Sequence, residues 1–133
     1  MKIDGACYCG EIRYEAEADP EKVVLCNCTD CQTMSGGTCH VNVLVPESDF
    51  RLLSGKLAEY VKTAESGRQR VMGFCGTCST QLYATSPAEP RVLGLRAPTS
   101  HQREQLVPKQ QVWHRSQPSW LRDLGGIPAI EEQ

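Results

Sequence analysis

The chain has 133 residues, 40% hydrophobic and 23% charged, with a formal net charge of −2 at pH 7. That length predicts one domain, residues 1–133, large enough to bury a core. The near-balanced charge argues against a nucleic-acid partner, which would want a basic face, and no apolar run approaches the ~20 residues of a membrane span. Met1-Lys2-Ile3-Asp4-Gly5 has no basic region followed by an apolar one, so a cytoplasmic protein without a signal peptide is expected.

Residues 11–17 alternate in polarity and predict a strand with one buried face, ended by Asp19-Pro20. Val23-Val24-Leu25 predicts a short strand that delivers Cys26 at its end. Residues 29–34 suit a brief helical turn, and Ser35-Gly36-Gly37 a loop. A strand is expected over 40–45, stopped by Pro46, with a turn to Phe50. Residues 51–53 and 57–62 flank Ser54-Gly55-Lys56, a pattern that predicts a hairpin. Residues 69–74 form a further strand that hands off to Cys75, and residues 80–84 follow. Pro87 and Pro90 mark a loop before a strand over 91–95. Residues 97–108 carry no period, and 111–113 close the set, with Trp113 and Trp120 as core or rim residues. Short strands with turn signals every ~8–12 residues predict a mainly β, sandwich-like domain.

Seven of the eight cysteines fall into three groups: Cys7 and Cys9, then Cys26, Cys28 and Cys31, then Cys75 and Cys78. Disulfides are rare in a reducing compartment, and thiols one residue apart bridge only with strain, so metal is expected instead. A CxC and a distant CxxC make a closed four-thiolate zinc site, with Gly10 and Gly76 supplying backbone freedom. Cys26, Cys28 and Cys31 leave a tetrahedral ion one ligand short. Cys39 or His40 could close that site, or the position could stay open, as catalytic zinc requires; spacing alone allows both. Otherwise Cys39 reads as a small buried hydrophobe and His40 as a packing or capping residue. His101 and His114 have no motif around them. Arg51, Lys56, Arg68, Arg70 and Arg96 could meet substrate carboxylates, although scattered basic residues are more often solvated surface.

Gly5-Ala6-Cys7-Tyr8-Cys9-Gly10, Cys26-Asn27-Cys28-Thr29-Asp30-Cys31-Gln32 with Ser35-Gly36, and Phe74-Cys75-Gly76-Thr77-Cys78 together resemble the glutathione-dependent formaldehyde-activating enzyme family, which includes the centromere protein V type domain. Val112-Trp113 and Pro118-Ser119-Trp120 fit its usual ending, and the likeness spans about residues 3–128. The resemblance implies a small, zinc-stabilised β-tent-like fold with two zinc ions per chain. By that analogy Cys7, Cys9, Cys75 and Cys78 hold a structural ion, and Cys26, Cys28 and Cys31 a catalytic one. It further implies a carbon–sulfur lyase acting on the adduct of glutathione, or another thiol, with a small aldehyde, as in formation of S-hydroxymethylglutathione. Asn27 stands where members commonly have histidine, and Leu93-Gly94-Leu95-Arg96-Ala97 lacks their usual acidic residues; both stretches are expected near substrate. The competing expectation is a non-catalytic, zinc-stabilised binding or scaffold module whose second centre is closed.

Overall fold

Alternation of apolar and polar residues builds two sheets, described for residues 1–133 in a computed structural model. The smaller sheet has β1 (Lys2–Ala6), β2 (Arg13–Glu17) and β5 (Phe50–Ser54) in the order β1-β2-β5, all antiparallel. The larger contains β3 (Val23–Cys26), β4 (His40–Pro46), β6 (Leu57–Thr63), β7 (Gln69–Cys75), β8 (Gln81–Thr85), β9 (Val92–Arg96) and β10 (Gln110–Val112). Its order is β10-β3-β4-β9-β8-β7-β6, with β10 parallel to β3 and every other pair antiparallel. One short helix, α1 (Thr29–Ser35), follows β3. The domain is mainly β, as its sequence predicts.

Two elements depart from expectation. β1 lacks a sequence signal because only Ile3 and Gly5 turn inward, and one large apolar residue makes a faint alternation. The expected hairpin around Gly55 does not form: β5 pairs with β2, whereas β6 pairs with β7. Ser54-Gly55-Lys56 therefore carries the chain from one sheet to the other. Gly55 sits at φ +79°, and a Cβ there would lie 2.6 Å from the Glu11 carbonyl oxygen, so glycine is required. Turn chemistry marks a reversal without naming the strand that will accept each arm.

The sheets pack face to face. Ile3, Tyr14 and Ala16 from the small sheet meet Val23, Val43, Val45, Leu82 and Leu95 from the large one in a single cluster. Phe50 bridges the two through ring contacts to Tyr14 at 5.6 Å and to Tyr83 at 6.0 Å. Directly paired residues in antiparallel strands project to the same face, and successive residues to opposite faces. Because Val43 and Leu95 face the core, their neighbours Asn42 and Arg96 face away from it, as do His40 and its partner Cys26. The same face continues through Ala84 and Met72 to Tyr60, and on to the facing pair Lys62 and Arg70. This second face of the large sheet carries the chemistry. Trp113 and Trp120 lie exposed at the rim rather than in the core. No helix is long and apolar enough to cross a membrane.

Candidate metal centres and the cavities beside them

All eight cysteines are free thiols. Cys7 and Cys9 lie in the loop between β1 and β2, Cys75 ends β7, and Cys78 follows in the turn to β8. Their four Sγ atoms all lie within 4.8 Å of one another, with Cys7 and Cys9 3.5 Å apart and Cys9 and Cys75 3.8 Å apart. A tetrahedral set with metal–sulfur bonds of about 2.3 Å has sulfur–sulfur edges of about 3.8 Å, so this donor set fits zinc. The loops are fixed independently. The Ile12 N–H donates to Cys7 Sγ at 3.3 Å, the Tyr8 N–H to Thr80 Oγ1 at 3.1 Å, and the Thr77 hydroxyl to Glu11 at 2.6 Å. The Thr80 hydroxyl beside Cys78 holds that thiol down to about 5, in the thiolate form a metal needs. Gly10 takes the expected left-handed turn at φ +81°. Gly76 does not; the left-handed residue of the second loop is Ser79, at φ +66°.

The second cluster is local. Cys26 ends β3, Cys28 caps α1, and Cys31 lies in its first turn, with their three Sγ atoms within 4.8 Å of one another. Cys28 Sγ accepts from the Cys31 N–H at 3.2 Å, which is the capping bond of the helix. The Cys31 thiol beside Cys26 holds Cys26 down to about 5 and is itself pushed up by it. Neither Cys39 nor His40 brings a ligand atom into the cluster. Three convergent sulfurs suit a zinc ion with one position left for another ligand.

Asn27, between the first two thiols, is 0% exposed and faces the C-terminal segment rather than a cavity. Its amide donates to the Val112 carbonyl at 3.3 Å and accepts from Gln117 at 3.4 Å. Gln32 reinforces the tie, donating to the carbonyls of Asn27 at 2.9 Å and Ser116 at 2.8 Å. Asn27 is thus a brace for the turn, its side chain committed to the C-terminal segment.

Cys28 opens onto a cavity of about 660 Å³ whose wall includes Lys62, Arg68, Arg70 and Trp113. Lys62 pairs with Asp30 at 2.6 Å, whereas Arg68 and Arg70 have no carboxylate partner. Burial and then the neighbouring Arg68 lower the Arg70 pKa, so an anion entering here would relieve both. On the same sheet face a second cavity, of about 920 Å³, is lined by Met34, His40, Tyr60, Phe74, Gln81 and Arg96. Of the five basic residues noted in the sequence, Arg68, Arg70 and Arg96 line these cavities. Arg51 instead pairs with Glu15 on the small sheet, and Lys56 lies exposed in the crossover. Lys62 and Gln81 carried no sequence signal. Their places in the walls of the two cavities come from strand register, which a single sequence does not display.

Two sheets in this order, with a four-thiol and a three-thiol cluster at strand ends, define a mainly β protein equipped to hold metal ions. A family model described as glutathione-dependent formaldehyde-activating enzyme matches residues 2–116, and the chain belongs to that family. Among solved structures it is similar to the crystal structure of a Rhodobacter sphaeroides protein determined in a structural genomics programme. That likeness has a TM-score of 0.63 at 19% identity, covering 82% of this chain and 99% of the other, and concerns the fold alone. Among curated proteins none matches.

Proposed function

We propose that the chain is a zinc-dependent carbon–sulfur lyase acting on the adduct of glutathione, or a similar anionic thiol, with a small aldehyde. One observation carries this reading: Cys26, Cys28 and Cys31 converge without a fourth cysteine or histidine, and Cys28 opens onto a cavity walled by Lys62, Arg68 and Arg70. In the proposed scheme Cys7, Cys9, Cys75 and Cys78 hold one zinc ion for stability, and Cys26, Cys28 and Cys31 hold the catalytic one. Zinc at the three-thiol centre would supply a Lewis acid and favour the thiolate form of a substrate sulfur.

The chain's own part is binding and orientation. Arg68 and Arg70 receive substrate carboxylates, with Lys62 held in place by Asp30. Fixing the thiol there, with its sulfur toward Cys28, makes its encounter with the aldehyde effectively intramolecular. In the forward direction the sulfur lone pair forms the carbon–sulfur bond, and the carbonyl π pair moves to oxygen. That oxygen takes up a proton equivalent to the one the thiol lost, so nothing is oxidised or reduced. The reverse reaction breaks the same bond. A scaffold reading would need Cys39 or His40 to close the centre, and neither ligand atom joins the cluster. Free thiols throughout suit a reducing compartment, and the cytoplasm is proposed as the site of action.

Exchange NMR on zinc-loaded protein with glutathione and formaldehyde tests the assignment. Wild-type protein should speed interconversion of the free and hydroxymethylated thiol, and Cys28→Ser should cut the enhancement at least tenfold while leaving zinc at the four-thiol centre. A wild-type rate equal to that in buffer would overturn the proposal.

A further inference from the structure

Arg96 is 6% exposed and has no acidic partner. Its Nη1 donates to Asn42 Oδ1 and its Nη2 to Gln81 Oε1 at 3.4 Å, while Nε has no partner. His40, 7% exposed, leaves both ring nitrogens unpaired. The sulfurs of Cys31, Cys26 and Cys28 act on Arg96 through space. Its hydrogen bonds, however, go only to neutral amides, and its Nε, like the buried imidazole, has none, which is costly. The two side chains lie on the same face of adjacent strands and border the same cavity of about 920 Å³. Met34, Tyr60 and Phe74 give that cavity an apolar flank. Unsatisfied donors just beneath the lining of a roomy cavity, and apolar walls elsewhere in it, describe a ligand with two matching parts once those two side chains turn toward it.

We propose that this cavity binds a carboxylate with an apolar body, its oxygens received by Arg96 and a ring N–H of His40 and its hydrocarbon by Met34, Tyr60 and Phe74. Arginine suits the role because its donors match carboxylate geometry. The Nε–H is the free donor, since Asn42 and Gln81 engage the other two nitrogens. Asn42 and Gln81 thereby fix the guanidinium plane, and Gln81 is itself anchored by donating to the Met34 carbonyl at 2.9 Å. The site is distinct from the basic cavity at Cys28 and does not depend on the lyase chemistry proposed there.

Calorimetric titration of the zinc-loaded full chain with phenylacetate and with uncharged phenylacetamide tests the inference. Phenylacetate should bind at least tenfold more tightly than the amide, and Arg96→Gln should bring the two within threefold. Amide chemical-shift mapping on the wild type supplies a readout that no variant can spoil: perturbations should centre on His40, Gln81 and Arg96. Arg68→Gln should bind phenylacetate as the wild type does, which separates this site from carboxylate capture in the basic cavity and from failure of the lyase reading. Equal affinity for acid and amide, perturbations centred on Lys62, Arg68 and Arg70, or an acid preference that survives Arg96→Gln would each overturn it. So would absence of saturable phenylacetate binding up to the order of ten millimolar.

Discussion

Tyr14 and Asn27 illustrate how single side chains secure a fold with many loop-borne residues. Tyr14 is 0% exposed, and because Thr99 donates its own proton to the Arg96 carbonyl at 2.8 Å, the phenol must donate to Thr99, 2.9 Å away. Burial pushes the Tyr14 pKa up from 10.0 to about 12. A raised folded-state pKa means its stabilising share is fully present below pH 10 and is lost as pH rises through about 12. Denaturation of Tyr14→Phe should therefore give a stability curve that falls less steeply above pH 10 than the wild type, from a neutral-pH value about 1 kcal/mol lower. An unchanged alkaline slope would refute that assignment. Asn27→Ala removes a fully buried amide and strands its partners, at an expected cost of about 1–3 kcal/mol. It should also make the zinc of the three-thiol centre easier for a chromophoric chelator to extract. The cysteines were legible from spacing alone, but the work of Asn27 was not: its partner Val112 lies 85 residues away, and nothing local announces it.

At the scale of elements, strands were readable and their partners were not. Alternation located β2, apolar runs bounded by turn signals located β3, β4 and β7 to β9, and residues 29–34 suited the turn that α1 forms. The pairing of β5 was invisible, since a tight turn with glycine serves a hairpin and a change of sheet equally well. Gly55 is where the difference becomes testable. Gly55→Ala combines a left-handed backbone with a Cβ 2.6 Å from the Glu11 oxygen, and should cost roughly 1–3 kcal/mol or more in chemical denaturation. A simple exposed hairpin turn would register less. Register also explains why the basic wall was hidden: Lys62 and Arg70 oppose each other directly, a repulsive arrangement on a bare sheet that makes sense beside an anion.

For the whole molecule, the two thiol clusters have different structural reach. The four-thiol centre joins the β1–β2 loop of the small sheet to the β7–β8 turn of the large one, whereas the three-thiol centre lies within one stretch around α1. Structural zinc is worth on the order of 10 kcal/mol in small domains, comparable with the whole stability of a domain this size. Cys78→Ser should accordingly lose one zinc per chain by metal analysis and lower the calorimetric midpoint by roughly 10 °C or more. Cys28→Ser should lose the other zinc with a much smaller shift. Equal shifts would mean that the four-thiol centre is not the clip between the sheets.

The 66 residues separating Cys9 from Cys75 also impose an order on assembly. During synthesis, the thiols of the three-thiol turn are all present once residue 31 has emerged, while Cys7 and Cys9 must wait for Cys78. Closing so long a loop costs entropy that a seven-residue helix with its capping thiol does not face. The nascent chain thus completes the three-thiol turn before the four-thiol set exists, and the last set to close is the one that spans the two sheets.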